Sequence, residues 1–109
     1  MTINMSDLVH QWQDQKLVFE DVHAKVLEYS RYYKMELKSS DVMYVAKTLM
    51  NACDIYHGKG NYNEFLVALA TDSLRIIMYA GDNRNIRCLQ VYYTYLYNCA
   101  PGDWREKLK

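Results

Sequence analysis

Apolar positions in the first third of the chain recur at helical spacing. Ser6 can cap a helix, and Asp7 lies in the first turn, where an acid suits the helix dipole. No proline or glycine interrupts residues 6–38, so the pattern predicts either one long helix or two helices with a break near Asp14, where the stripe skips a turn. A long helix would overhang a domain of this size and invite a partner or a second copy. The stripe consists of Leu8, Trp12, Phe19, Val22, Val26, Tyr29, Tyr33 and Leu37.

A second stripe follows a polar break. Ser39-Ser40-Asp41 provides a stop and a new helix cap. Apolar residues then step by three or four from Val42 to Tyr56. Gly58-Lys59-Gly60 supplies glycine for the left-handed conformation that closes a helix. We therefore predict a second helix near residues 41–57.

A third stripe begins after a polar segment that resembles a capping box. Asn61 is followed three residues later by Glu64, and apolar side chains then run from Phe65 to Ala80. The stripe is broad, which is typical of a helix at the centre of a core. Gly81 is the predicted end of this third helix.

The last stripe admits two interpretations. Ile86, Leu89 and Tyr93 continue a helical pattern near residues 84–98, whereas the strand-forming residues after Val91 would also suit a hairpin that turns at residues 82–85. We favour the helix, because a lone hairpin would have no sheet to join.

The sequence as a whole predicts one all-α domain over residues 1–109. Its architecture is a compact array of about four helices with a long first helix and short connections. Residues 1–5 and 101–109 are predicted to be short tails, the second of them charged and surrounding Trp104.

Composition narrows the classes of function. Half of the 109 residues are hydrophobic, and 13 bases balance 13 acids, so the chain has the composition of a globular protein without a global field for nucleic acid or membrane. The three cysteines cannot all pair within the chain, and the opening residues lack the pattern of a secretory signal. We therefore expect a cytoplasmic protein with free cysteines and no membrane contact.

The sequence contains only weak signals for a catalytic or metal site. Cys53 and His57 lie four apart, so both face one side of the second helix, as two metal ligands would. No CxxC pair accompanies them, and Cys53 continues the apolar stripe, which favours core packing. The remaining pairings of histidine with a carboxylate are typical of ordinary helix surfaces: His10 with Asp14, and His23 with Glu20. We predict no catalytic residue, no cofactor and no metal, hence a protein that is not an enzyme.

Basic residues near tyrosines support an alternative function. Tyr32 and Tyr33 interleave with cations on the first helix, as phosphate contacts with adjacent base stacking would. Against this stand the neutral net charge and Glu36 within the cluster. The residues of this nucleic-acid alternative are Arg31, Lys34, Lys38, Arg84 and Arg87.

Tyrosine is the most unusual component, with 11 copies against two phenylalanines. Five tyrosines continue apolar stripes and are predicted to pack inside: Tyr29, Tyr33, Tyr56, Tyr93 and Tyr97. Five others fall off the stripes and are the predicted protein interface: Tyr32, Tyr44, Tyr62, Tyr92 and Tyr95. Tyr79 is assigned to neither group. Exposed tyrosine is enriched in interfaces, where it supplies contact area at low entropic cost.

These observations favour a small helical protein that binds another protein. We expect a regulator, adaptor or inhibitor that acts through a tyrosine-rich surface, with a homodimer formed along the long first helix. The small size and the lack of motifs would suit an accessory protein of a virus or mobile element.

Overall fold

The computed structural model describes residues 4–80 and 82–109, which form an all-α protein. The Cα radius of gyration is 12.8 Å, as expected of a compact domain of this length. The predicted fold class is confirmed, but the described residues form eight helices where about four were expected. They are α1 (Met5–Gln13), α2 (Phe19–Tyr32), α3 (Ser39–Tyr56), α4 (Glu64–Ala70), α5 (Leu74–Ala80), α6 (Asn83–Arg87), α7 (Leu89–Cys99) and α8 (Trp104–Leu108).

The prediction of one long first helix is wrong, and the alternative of two helices with a break near Asp14 is confirmed. The chain turns between α1 and α2, where Gln15 takes a left-handed conformation (φ 56°) and the Lys16 backbone N–H donates to the Gln11 carbonyl at 2.8 Å. A straight helix over residues 6–38 would be about 50 Å long, longer than the largest extent of the domain, 37 Å. With the turn, Trp12 of α1 and Val26 of α2 are both buried. The overhang that predicted a dimer is therefore absent.

The start of α1 also differs from the prediction. Asn4, not Ser6, is the N-cap, and its side-chain Oδ1 accepts the Ser6 backbone N–H at 2.8 Å. Met5 belongs to the helix, so the predicted tail over residues 1–5 is wrong at Asn4 and Met5. The rest of that tail lies outside the described residues.

Helix α3 confirms the predicted second helix. At its start, the Lys38 backbone N–H donates to Asp41 Oδ2 at 3.3 Å. At its end Gly58 has a φ of 81°, and the Lys59 backbone N–H donates to the Asp54 carbonyl at 2.8 Å. Glycine is needed there because this φ is strained for residues with a side chain.

The predicted third helix is split in two. Asn63 caps α4 by accepting the Leu66 backbone N–H at 3.1 Å, in place of Asn61. The helix then stops at a turn in which Asp72 is left-handed (φ 54°) and the Ser73 N–H donates to the Ala68 carbonyl at 3.1 Å. The pattern correctly places α4 in the core but wrongly extends that burial through α5. The predicted end at Gly81 lies outside the described residues.

The last stripe forms helices, not a hairpin. Asp82 caps the short α6 by accepting the Asn85 backbone N–H at 2.8 Å, and α7 follows after Cys88. The helical interpretation of residues 84–98 is therefore confirmed, with one interruption.

The predicted charged tail over residues 101–109 is wrong. Trp104 and Leu108, four positions apart in α8, are both buried. They pack α8 against α3 and α4, so the end of the chain completes the core. Burial of these two large side chains outweighs the charge of the residues around them.

Candidate interaction surface

The structure separates exposed from buried tyrosines. Tyr32 and Tyr62 are exposed, as the predicted interface requires, and Tyr79 joins them as a third exposed ring. Tyr44 is half-buried beneath the Arg84 guanidinium, whose central carbon lies 4.9 Å from the ring centroid. Tyr97 is exposed as well but carries the Arg105 guanidinium on its ring, so Tyr32, Tyr62 and Tyr79 remain as contact candidates.

Tyr92 and Tyr95 correct the predicted interface, since both side chains are 0% exposed. Helix α7 is contacted by α1, α2 and α6, so the faces that carry these rings are covered. The Tyr92 hydroxyl donates to Asn85 Oδ1 at 2.8 Å, whereas the Tyr95 hydroxyl has no hydrogen-bond partner in the described structure. Burial raises the pKa of both tyrosines above its ordinary range. Neither residue can contribute to a contact surface of the folded chain.

The tyrosines predicted to pack inside are mostly half-buried at the edge of the core. The Tyr33 hydroxyl lies 2.8 Å from Thr94 Oγ1, and the Tyr56 hydroxyl donates to Asp103 Oδ1 at 2.7 Å. Burial, helped by this hydrogen bond, raises the pKa of Tyr56 to about 12. Tyr97 is an error of prediction, because it is exposed. The half-buried members are Tyr29, Tyr33, Tyr56 and Tyr93.

Helix α5 presents an exposed apolar surface, although the stripe that contains Leu74 was predicted to lie in the core. Leu74, Met78 and Tyr79 are 68%, 57% and 85% exposed, and we call these three residues the α5 face. Ile77, 3% exposed, points inward and is the main apolar anchor of the helix. Because α5 packs chiefly on α4, the side that carries these three residues meets solvent. Clustered exposed apolar side chains mark sites of interaction.

The turn before α5 is held from α8. Arg105 Nη1 lies 2.8 Å from Asp72 Oδ2 and donates to the Ala70 carbonyl at 3.2 Å. The same guanidinium lies over the Trp104 and Tyr97 rings. This bracing fixes the direction in which α5 leaves α4.

Two of the five cations in the nucleic-acid alternative pair with a carboxylate of the chain, and the other three are exposed. Arg84 Nε lies 3.0 Å from Asp41 Oδ1, and Arg87 Nη2 lies 3.7 Å from the same oxygen. Asp41 is buried, so these two arginines neutralise a carboxylate of their own chain. The other three cations, Arg31, Lys34 and Lys38, are exposed.

Cys53 and His57 do face one side of α3, but they hold a carbonyl of α1. The Trp12 carbonyl oxygen lies 2.6 Å from His57 Nε2 and accepts a weaker bond from Cys53 Sγ at 3.7 Å. Burial raises the pKa of Cys53 to about 12, so its thiol stays protonated. Among the described residues no group of three or more His, Cys, Asp and Glu side chains has the geometry to hold a metal.

Two further results concern likeness to known proteins and the possibility of a membrane span. Comparison with protein-family models, with curated proteins and with solved structures finds no match. Within residues 4–80 and 82–109, no helix has both the length and the apolar character needed to span a bilayer.

Proposed function

We propose that this chain is a non-enzymatic binding protein, a regulator, adaptor or inhibitor, whose contact surface centres on the α5 face. The carrying observation is the exposure of Leu74, Met78 and Tyr79 on one seven-residue helix. Leaving such side chains in water forgoes the free energy that their burial would contribute. A partner protein with an apolar groove would recover it.

The chemistry of the α5 face suits a protein partner. Leu74 and Met78 lie one turn apart, and Tyr79 adds a ring whose hydroxyl can bond to a partner. Methionine adapts its shape, and tyrosine is a frequent anchor of binding energy. The proposal therefore keeps tyrosine as a contact residue but replaces Tyr92 and Tyr95 with Tyr79.

The support beneath the α5 face also favours binding. Ile77 anchors the helix inward, and Arg105 braces the turn at Asp72. A surface held in place before contact pays less entropy on association than one that must order itself. Tyr62 and Tyr32 are further exposed rings available to a larger interface.

Photocrosslinking from position 78 tests the proposal. We would place a benzophenone amino acid at Met78, express the chain in its native host, and analyse crosslinks by mass spectrometry. Met43, an exposed methionine of α3, provides the matched control position. The proposal expects one recurrent partner from position 78, lost when Leu74→Ser is added. Equal and diffuse crosslinking from both positions would contradict it.

A nucleic-acid module is a second candidate, favoured by one observation. Tyr32 is exposed between the exposed cations Arg31 and Lys34, an arrangement suited to stacking a base beside its phosphate. Titration of labelled single-stranded DNA and RNA at low salt tests it. The candidate expects binding that weakens steeply with salt and is lost in Tyr32→Ala. Absence of binding at low salt would remove it.

A further inference from the structure

A groove of about 550 Å³ lies between α2, α7 and the start of α1. Tyr29 and Tyr32 of α2 and Tyr33 at its C-cap line it, together with Lys25 and Glu28. Its size falls in the range of small-ligand sites, and its lining combines aromatic rings with a few polar groups. The groove lies apart from the α5 face.

Of the two charged residues that line this groove, only the carboxylate is within reach of a ligand, and the exposed cations Arg31 and Lys34 lie outside the lining. The Lys25 side chain is buried (5% exposed), and its Nζ lies 2.5 Å from Glu28 Oε2. That oxygen is itself buried and makes only this ionic contact, without hydrogen-bond geometry. The Glu28 side chain is nevertheless 42% exposed, which leaves Oε1 as its accessible oxygen. A ligand therefore meets a carboxylate, while the ammonium stays behind it.

At two other places in the chain, an arginine lies over a tyrosine ring and pairs with a nearby carboxylate. Arg84 lies over the Tyr44 ring, at 4.9 Å, and pairs with Asp41 at 3.0 Å.

A second example has the same composition. Arg105 lies 5.2 Å from the Tyr97 ring centroid and pairs with Asp72 at 2.8 Å. In both places a planar guanidinium satisfies an aromatic face and a carboxylate together, which suits its fork of N–H donors and its weak hydration.

In the groove, Lys25 takes part of this role, since its Nζ pairs with Glu28 Oε2 and lies 5.7 Å from the Tyr29 ring centroid. The Tyr32 ring and Glu28 Oε1 are the aromatic face and the carboxylate oxygen that Lys25 does not reach. The Tyr32 ring stands edge-on against Tyr33, with centroids 5.0 Å apart and planes at 86°, and its exposed side remains open. Glu28 supplies the carboxylate. Among the described residues no arginine stacks on these rings or pairs with Glu28.

We infer that this groove binds a guanidinium group, from arginine itself or from an arginine side chain of a peptide. The guanidinium stacks on Tyr32 and donates to Glu28 Oε1. Lys25 opposes an added cation, but its pairing with Glu28 Oε2 offsets that repulsion. The site shares no residue with the α5 face.

NMR titration of the ¹⁵N-labelled full chain tests the inference. The probes are blocked arginine (N-acetyl-arginine methylamide), free arginine, and the blocked citrulline analogue, which has nearly the same shape but no charge. We expect saturable shifts at residues 25–33 and at Thr94 and Asn98 with either arginine probe. Citrulline should bind about tenfold more weakly, the loss expected from one charge-assisted hydrogen bond.

Variants then separate recognition from folding. Glu28→Gln should reduce arginine binding to the citrulline level, and Tyr32→Ala should weaken both probes. Tyr62→Ala removes an equally exposed tyrosine that does not line the groove, and should leave binding unchanged. If Glu28→Gln does not fold, the comparison of arginine with citrulline on the unaltered chain still decides.

Three results would overturn the inference: equal binding of arginine and citrulline, shifts that do not saturate, or shifts that lie away from the groove. Crosslinking from Met78 concerns other residues and another partner. That experiment can fail while this titration succeeds, and the reverse, so the two proposals stand or fall separately.

Discussion

Helices α5 and α7 show opposite relations between side-chain chemistry and burial. In α7 two tyrosines with polar hydroxyls are wholly enclosed, whereas α5 leaves leucine and methionine more than half exposed. The apolar pattern of the chain predicts that these α7 tyrosines are exposed and that the stripe through α5 is buried. The difference lies in the neighbours, because α7 is packed by α1, α2 and α6, while α5 packs chiefly on α4.

The comparison teaches that periodicity identifies which residues share a helix face, but not how many faces are covered. A helix surrounded by others must bury even its amphipathic side chains. A peripheral helix such as α5 can anchor itself through Ile77, with Ile76 partly buried beside it, and leave Leu74 and Met78 for a partner.

The largest expected effect contrasts one tyrosine from each helix. Tyr92→Ala should lower the free energy of unfolding by about 3–5 kcal/mol, because it opens a cavity beside Phe65, whose ring centroid is 5.2 Å away. Tyr79→Ala should change it by less than about 0.5 kcal/mol. Urea denaturation measures both. Equal losses would abolish the distinction between the helices.

The next largest effect is a loss of folding stability at high pH, which follows from the burial of the α7 tyrosines. Burial holds the pKa of Tyr92 and Tyr95 above the ordinary value of about 10, so both remain neutral in the folded chain. Their stabilisation is complete below pH ~10 and is lost as the pH rises further. Each should cost about 1.4 kcal/mol per pH unit in that range. Denaturation midpoints across this range should fall less steeply for Tyr95→Phe, and an unchanged slope would contradict its burial.

Adjacent residues of α5 provide a finer contrast. Ile77→Ala should destabilise the chain by about 2 kcal/mol, at the low end for a core residue because the helix is peripheral. Met78→Ala, one position later, should have an effect within about 0.5 kcal/mol. Thermal unfolding can rank the two. Comparable losses would mean that α5 is covered on both sides.

The smallest effect compares two hydroxyls within α7. Tyr92→Phe leaves buried Asn85 Oδ1 without its donor and should cost about 1–2 kcal/mol. Tyr95→Phe removes a buried hydroxyl that has no partner, so it should be neutral or stabilising by about 1 kcal/mol. Chemical denaturation of the two variants gives the signs. Destabilisation by Tyr95→Phe would indicate a hydrogen bond to that hydroxyl.

Local signals in the sequence predicted much of the secondary structure. The all-α class, the extent of α3, and the helical character of α7 followed from spacing and from glycine at position 58. The turn at residues 71–73 did not, because it contains neither glycine nor proline and depends on a left-handed Asp72. The contact of Arg105 with Asp72 comes from residues far apart in the chain, so no local pattern reveals it.

The candidate sites were less predictable than the helices. The exposure of Tyr32 and Tyr62 was correctly anticipated, but the enclosure of Tyr92 and Tyr95 depends on helices that pack from three directions. The α5 face resembles a core stripe in sequence. It becomes a surface because α5 packs chiefly on α4 and turns Ile77 inward, which leaves Leu74, Met78 and Tyr79 exposed.

Hydroxyl-radical footprinting of the free chain, read residue by residue by mass spectrometry, tests the contrast between α5 and α7 most directly. Tyrosine and methionine both react when solvent reaches them, so the two helices can be compared in one sample. We expect rapid modification of Met78 and Tyr79 and protection of Tyr92 and Tyr95. Protection of Met78 and Tyr79 at high dilution, or modification of Tyr92 and Tyr95 at the rate of Tyr79, would contradict this account.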